Sequence, residues 1–435
     1  MSDNKIAILI FSAALLLRLF VLWSFDSERS LLYVADSLNY LQTAQNMLAE
    51  GIYSTQISQP PHPDNFRTPF YPAFLVPFVY LKTSLYLPAL AGAILMSLAA
   101  VFVFIFGKKI FDRKTAAAGA LLFALEPVGA IISSQLMAEA MFMLFFVPAV
   151  FKLGFYVRSG RRRELLLGAL FMALAALTRP VAIWFFVLIP IVILLAGLNR
   201  ENLKNFLLAF LIFLGVLSPW LFYSFFTLGT WGLYSQSDMA LYTYHAKLFS
   251  EWLGEPEALR SVNYEAMEKN FDARVIPEMK KAALELITSR PFEYARFHLA
   301  KTYRLFSDSG FVNVLNGLPY PQFHYDSAQG GFLESGDFVA LREKPPLIIL
   351  LLADLAIVLI SVLAFLNPFF VRKFSGENYK PKLFFVFVII IYALLASPIG
   401  GPRLRIPLNP LLFLLALESI MFSYKLVRKT YFNVN

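Results

Sequence analysis

Residues 31–72 read LLYVADSLNYLQTAQNMLAEGIYSTQISQPPHPDNFRTPFYP and lie between two long apolar runs, 6–23 and 85–106. From Asp36 to Glu50 apolar side chains recur every three and four residues, at Leu38, Leu41, Ala44, Met47 and Leu48, which is the spacing of one helix face. Asp36 stands where a carboxylate caps a first turn by accepting its free N–H groups. The helix is too short and too polar to cross a bilayer, which takes about 20 apolar residues, so it is expected along the surface. A proline-rich loop and the segment Phe66-Arg67-Thr68-Pro69-Phe70-Tyr71-Pro72 follow. An acid and a base are thus held on an interfacial loop against apolar spans, an arrangement suited to chemistry at a membrane face.

The whole chain supports that setting. Its 435 residues are 58% hydrophobic and 15% charged, with a mean hydropathy of +0.62, which excludes an ordinary soluble globular protein. Forty-five phenylalanines and twenty tyrosines suit lipid-facing helices with aromatic belts. There is no cysteine, hence no disulfide framework, thiol nucleophile or Cys-zinc site. The net charge of +9 resides largely in loops between spans and is no sign of nucleic acid. The first apolar run lacks a small-residue cleavage site and is read as a retained helix.

Ten spans are expected: 6–23, 85–106, 116–132, 140–157, a shorter one reaching Thr178, one ending near Leu198, 206–228, 346–371, one reaching Ala396, and a last one ending before Lys425. Basic clusters follow every second span: Lys108 to Lys114, Arg158 to Arg163, Arg200 and Lys204, Arg372 to Lys382, and Lys425 to Lys429. The positive-inside rule makes that side, with both termini, cytoplasmic. The other face receives the first loop (25–84), residues 133–139, Arg179, the long hydrophilic region 229–345 and the loop bearing Arg403. The chain divides accordingly into an N-terminal bundle (1–228), the outer region (229–345) and C-terminal helices (346–435). Within the outer region a largely helical stretch is broken at Arg290-Pro291, after which Phe292, Ala295, Leu299 and Tyr303 form an amphipathic face; residues 315–341 read as a loop.

Each candidate side chain also has a plainer role. Asp36 serves as an N-cap, Arg67 as an interfacial anchor, Glu139 as a first-turn acid favoured by the helix dipole, and Arg179 as a helix-end residue. Arg403 and Arg405, in Gly400-Gly401-Pro402-Arg403-Leu404-Arg405-Ile406-Pro407, break the positive-inside pattern, and paired guanidiniums at a membrane surface suit a lipid phosphate. Arg18 and Glu126 lie inside spans, where snorkelling or pairing within the bundle is the expectation. His62, His245, His298 and His324 show no metal-site spacing, and no phosphate-cradling glycine loop or Ser-His-Asp signature is present.

These segments resemble, in order, the GT-C superfamily of polyprenyl-phosphate-sugar-dependent glycosyltransferases, which includes the protein O-mannosyltransferases and the lipid A aminoarabinose transferase. The likeness rests on Asp36-Ser37-Leu38-Asn39-Tyr40, Arg67-Thr68-Pro69-Phe70-Tyr71-Pro72, residues 134–142 with Glu139, Leu177-Thr178-Arg179-Pro180, Ser289-Arg290-Pro291-Phe292-Glu293-Tyr294 and Arg403-Leu404-Arg405-Ile406-Pro407. It implies an all-α polytopic GT-C fold with interfacial helices in the first outer loop. It also implies hexosyl or pentosyl transfer, with inversion, from a polyprenyl-phosphate donor (undecaprenyl phosphate in a bacterial inner membrane) to a glycolipid, polysaccharide or protein acceptor on the periplasmic side. Asp36 and Glu139 are the implied catalytic residues, Arg67, Arg179, Arg403 and Arg405 the phosphate-binding set, and Tyr40 and Tyr71 position substrate. Members often carry two acids at the first-loop position. Here the second is Ser37, which weakens the case for a Mg or Mn ion held by an acidic pair. The Arg67 segment also differs from the Glu-Lys-Pro form of the aminoarabinose transferase. The competing class is a transporter or flippase of a lipid-linked or anionic substrate, which predicts internal repeats and ionisable groups at the bilayer midplane. No repeat is evident.

Overall fold

A computed structural model describes residues 1–32, 34–57, 60–259, 275–311, 348–372 and 379–432. The loop expected at 315–341 and His324 lie outside these residues. Among them all regular secondary structure is helical. Six helices are long and apolar enough to cross a membrane: α1 (Asp3–Ser24), α4 (Tyr86–Gly107), α7 (Glu139–Ser159), α10 (Arg200–Leu228), α16 (Ile348–Arg372) and α17 (Tyr379–Ala396). α5 (Arg113–Ala124) and α6 (Pro127–Ser133) meet at a bend of 54° and make a seventh span if counted together. The chain is an integral membrane protein.

Three expected spans take other forms. One is the 17-residue α8 (Arg162–Thr178). Another is a 3₁₀ segment, Pro180–Val187, running into α9 (Leu188–Ala196). The last, Asn409–Phe432, is apolar only as far as Tyr424. Helix length and composition therefore support six or seven spans among the described residues, and the count of ten is not established by them.

α7 is the hub. It packs against α4, α8, α9 and α17, and buried side chains such as Phe142, Phe146, Val150 and Leu153 point to all sides of it, as expected of a helix surrounded by others. It ends at Gly160, whose φ of 63° is the left-handed conformation that glycine adopts without a Cβ penalty. Its first residue is Glu139 and its last turn holds Arg158, so these mark opposite ends of the bundle. At the Arg158 end the basic residues gather: Lys108 and Arg113 pair with Asp3, and Arg158 donates to the Lys109 carbonyl.

The bend between α5 and α6 sets up the Glu139 end. Glu126 caps α6, its carboxylate accepting from Val128 N at 3.2 Å and Gly129 N at 2.5 Å, with Pro127 opening the helix. The carbonyl that the break frees at Ala124 accepts from Arg18 Nη1 at 2.8 Å, while Arg18 Nε donates to Ser133 Oγ at 2.9 Å. Arg18, fully buried, thus pairs within the bundle rather than snorkelling.

Across that end lie two short helices, α2 (Val34–Ala49) and α3 (Phe70–Tyr80), packed on each other through Tyr40, Ala44, Tyr71 and Leu75. Asp36 is not the cap of α2. It sits inside the first turn, with its carboxylate turned toward arginines from elsewhere in the chain. Beyond α10 come α11 (Gln236–Ala240), a π-helical segment Leu241–Ala246, α12 (Lys247–Trp252), α13 (Ile276–Ser289), α14 (Pro291–Lys301) and α15 (Arg304–Ser307). Arg290-Pro291 does separate two helices, and Phe292, Leu299 and Tyr303 are exposed while Phe297 is buried. α18 (Pro402–Arg405) and α19 (Asn409–Phe432) close the chain.

α14 is tied to the end of α17, a few residues before the Arg403 loop. His298 Nε2–H donates to the Leu394 carbonyl at 2.9 Å, and Ser397 Oγ donates to the His298 carbonyl at 2.7 Å. Tyr294 Oη lies 2.6 Å from His245 Nδ1 and 3.4 Å from His298 Nδ1, joining the π-helical segment to the same tie. Burial, with His298 adding to it, brings His245 down to about 4. An unfolded histidine titrates at about 6.5, so between that pH and about 4 the unfolded chain binds the extra proton and stability declines as pH falls. The neutral ring contributes up to about 3 kcal/mol above this window. His245→Phe should flatten the loss of thermal stability between pH 6.5 and 4, and equal slopes for both proteins would remove this account of the tie.

Candidate active site

Arg67 reaches the Glu139 end on a loop that is hydrogen-bonded from within. Asp64 accepts from Thr55 N at 2.7 Å, Thr55 Oγ1 at 2.8 Å and Phe66 N at 2.9 Å. Asn46 Nδ2 donates to the carbonyls of Ser54 and Gln56, and Tyr53 Oη donates to those of Arg67 and Thr68. Thr68 Oγ1 then donates to the Thr178 carbonyl at 2.9 Å, which fixes this loop to the end of α8 beside Arg179. The backbone is therefore set before the side chain is placed.

Arg67 is 5% exposed and fully engaged at its tip. Nη2 lies 2.5 Å from Asp36 Oδ1 and donates to Asn39 Oδ1 at 2.7 Å, and Nη1 donates to Gln236 Oε1 at 2.7 Å. The guanidinium rests over the Tyr40 ring, 4.9 Å from its centre, and Tyr40 meets Tyr71 edge to face at 4.9 Å. The two tyrosines thus form the floor beneath Arg67.

The other oxygen of Asp36 receives Arg403: Nη2 to Oδ2 is 2.7 Å. Arg403 Nε also donates to Glu139 Oε1 at 2.5 Å, and Arg179 Nη1 lies 2.6 Å from that same oxygen. The result is a continuous chain of charge, Arg67–Asp36–Arg403–Glu139–Arg179, drawn from five separate segments. Three guanidiniums face two carboxylates, an excess of one positive charge. Burial alone raises the Asp36 carboxyl, but Arg67 and Arg403 outweigh it and hold the group well below the usual carboxylate range. Arg67 Nε and Glu139 Oε2 are buried with no hydrogen-bond partner, so the cluster retains a donor and an acceptor for something else. Access is from the Arg403 side, where that side chain is 23% and Asp36 19% exposed.

Arg405 is not brought to this cluster. Fully buried, it donates through Nη1 to the carbonyls of Leu305 and Asp308 and through Nη2 to that of Ser309. Burial lowers its pKa, against the opposing pull of Glu126, Asp308 and Asp354. Asn39 and Gln236 are the functional neighbours that sequence reasoning missed. Asn39, three residues after Asp36, shares its helix face and was detectable by spacing; Gln236 carries no local signal.

The donor set does not suit a divalent cation. Both Asp36 oxygens and one Glu139 oxygen are taken by guanidiniums, and Ser37 Oγ–H is directed at Met137 Sδ at 3.3 Å. Among the described residues no three His, Asp or Glu side chains come together as a metal site.

Residues 66–223 match the family model described as dolichyl-phosphate-mannose-protein mannosyltransferase. No curated protein matches the chain. Among solved structures, the chain is similar to the apo oligosaccharyltransferase of Archaeoglobus fulgidus, at 14% identity and a TM-score of 0.54 over 98% of this chain and 52% of that one. It is also similar to AglB, an archaeal oligosaccharyltransferase from Archaeoglobus fulgidus, in complex with an inhibitory peptide and a dolichol-phosphate, at 15% identity, TM-score 0.54, over 100% and 52%. ArnT from Cupriavidus metallidurans bound to undecaprenyl phosphate aligns at 13% identity and a TM-score of 0.44, over 97% and 78%. The chain spans about half the length of the oligosaccharyltransferases it matches, and at these identities the likeness is one of fold. The family-model match lies across the loop and helices that carry Arg67, Glu139 and Arg179, and it is there that the chain is similar to that family.

Proposed function

We propose that this protein transfers one sugar from a polyprenyl-phosphate donor to an acceptor hydroxyl or amine, with inversion. The observation that carries the reading is the five-residue charge cluster, open on its Arg403 side, with its single excess positive charge. A lipid-linked phosphodiester brings one negative charge, which the cluster accommodates, and the leaving phosphate gains more as the bond to the sugar breaks. Guanidiniums already in place therefore stabilise the transition state more than the ground state. The family model is named for a dolichyl-phosphate-mannose donor, and one neighbouring oligosaccharyltransferase is in complex with a dolichol-phosphate; both agree with a lipid-phosphate donor here. Undecaprenyl phosphate in a bacterial inner membrane is the donor lipid we favour. The gathering of basic residues at the opposite end supports a periplasmic active site with cytoplasmic termini.

In this scheme the acceptor O–H proton passes to Asp36, the acceptor oxygen bonds to the anomeric carbon opposite the phosphate, and the carbon–oxygen bond to phosphate breaks with its electrons on the leaving group. Arg403, Arg67 and Arg179 receive that charge, and the unpartnered Glu139 Oε2 accepts a sugar hydroxyl. Asp36 is a weak base while two guanidiniums hold it. As the phosphate engages Arg403, that hold relaxes and the carboxylate gains basicity when a proton must be taken.

Purified protein incubated with a panel of polyprenyl-phosphate sugars and an envelope acceptor fraction should release polyprenyl phosphate. Asp36→Asn should release it about 10²- to 10⁴-fold more slowly while still inserted; undiminished release by the variant removes the base, and movement of the intact lipid without cleavage would favour a transporter. Because Asp36 must be ionised and its pKa is depressed, the acid limb of kcat/KM should lie below the ordinary aspartate value of about 3.9, and that of kcat at higher pH. Arg403→Ala should raise the donor KM by about tenfold or more. Arg405→Met, by contrast, should cost about 1–3 kcal/mol of stability and leave the donor KM of the surviving protein unchanged; the reverse pattern would restore Arg405 to the phosphate set.

A further inference from the structure

The end of the bundle opposite the charge cluster carries a groove of about 430 Å³ between α8 and α10, a volume suited to a small ligand. Its lining is Arg162, Arg163, Leu166, Leu167, Leu170 and Ile212. α8 starts at this end, just past the glycine that stops α7, and runs toward Arg179. Arg162, Leu166 and Leu170 are spaced by four, as are Arg163 and Leu167, so five of the lining residues form one stripe along a helix face. From Arg162 to Leu170 the stripe is about 12 Å long, at about 1.5 Å per residue. That is close to the depth of one leaflet of a hydrocarbon core about 30 Å thick. The two charges thus stand at the mouth of an apolar channel.

Other basic side chains at this end are matched within the fold. Lys108 and Arg113 have Asp3, Arg158 has the Lys109 carbonyl, and Lys152 holds Glu164 at 2.7 Å. Glu164, the acid beside Arg163, is thereby taken. Arg162 and Arg163 are exposed, and among the described residues neither guanidinium meets a carboxylate or a carbonyl. No carboxylate lines the groove. Positive charges in a first turn oppose the helix dipole, so α8 itself gains nothing from them. On the other wall, Ile212 follows Leu211, which with Leu207 is more than half exposed on a helix that crosses the membrane. The groove therefore borders the face that α10 turns to lipid.

We infer that the groove holds one anionic phospholipid from the leaflet on the Arg158 side, its phosphate gripped by Arg162 and Arg163 and an acyl chain laid along Leu166, Leu167, Leu170 and Ile212. Guanidiniums bind a phosphodiester through paired N–H donors, and basic pockets between membrane helices receive anionic headgroups in this way. A headgroup with net negative charge, as in phosphatidylglycerol, matches two arginines that lack an acid. Phosphatidylcholine carries its own ammonium, which they repel. The lipid bridges α8 and α10 at the end remote from the charge cluster, and its binding is separate from sugar transfer.

The test is equilibrium binding of fluorescently labelled phosphatidylglycerol to the full chain in a nonionic detergent. Binding should saturate and be displaced by unlabelled phosphatidylglycerol, and about tenfold less effectively by phosphatidylcholine with the same chains. Arg162→Gln combined with Arg163→Gln should weaken it about tenfold or more. Ile212→Trp, which fills the groove and keeps both arginines, should weaken it as well. Arg200→Gln combined with Lys204→Gln removes the same charge from exposed positions at the same end that do not line the groove, and should leave binding unchanged. Neither Arg162 nor Arg163 has a partner to lose and Ile212 is only partly buried, so melting temperatures without lipid should hold and loss of binding is not loss of fold. Equal loss in the two double variants would reduce the effect to diffuse attraction and overturn the inference. Binding indifferent to the Arg162 and Arg163 changes or to Ile212→Trp, or equal displacement by phosphatidylcholine, overturns it too. Displacement by inorganic phosphate at matched concentration overturns it in favour of a site for a free anion.

Discussion

Everything at the site end of the molecule depends on how Asp36 is shared. Its two oxygens are divided between Arg67 and Arg403, so one carboxylate holds together the first loop and the start of the last helical hairpin. A charge removed from water is costly unless paired, and breaking a buried pair costs roughly 3–5 kcal/mol because the partner is left uncompensated. The five-membered chain meets that requirement only as a unit. Glu139 without Arg179 and Arg403, or Arg67 without Asp36, would be an isolated buried ion. The surrounding architecture answers the same demand. Tyr53, Asn46 and Asp64 fix the Arg67 backbone, the α5–α6 bend delivers Glu139, and the tie from His298 to Leu394 steadies the approach to Arg403.

Arg403 and Arg405 show why a pair of like residues need not share a role. They are two apart on one short helical turn, and residues at that spacing do not face each other on a helix. Arg403 points into the charge cluster. Arg405 points back to the carbonyls of Leu305, Asp308 and Ser309, which end a helix and need donors. Arg403 is thus aimed into the cluster while Arg405 anchors the turn that carries it.

The apolar spans and the loop residues were legible because each depends on local composition. Long runs without charge announce α1, α4, α7 and α10, and Asp36, Arg67, Glu139, Arg179 and Arg403 stand out as ions beside them. What was not legible depends on distant partners. Asp36 looked like a cap, since nothing local says that arginines 31 and 367 residues away along the chain would claim its oxygens. Gln236 is 169 residues from Arg67 and has no signal of its own. The break at Glu126-Pro127 was readable as a capping acid before a helix-opening proline, but the apolar run through it masked the bend. Arg405 was misplaced because a sequence records which residues are adjacent and not which way a turn aims them.

The excess charge also bears on how the site empties. On the proposed chemistry the product phosphate is more negative than the donor, so a cluster built of free arginines would hold it tightly and stall. Here every arginine of the cluster already has a carboxylate in contact. Those acids compete with the product for the same N–H groups, and the competition strengthens as Asp36 gives up the proton it has taken. Pairing in the resting state therefore serves two ends: it keeps the guanidiniums fixed where charge will develop, and it limits the attraction for what has to leave. A net charge of one, not three, is what lets the same arginines assist both steps.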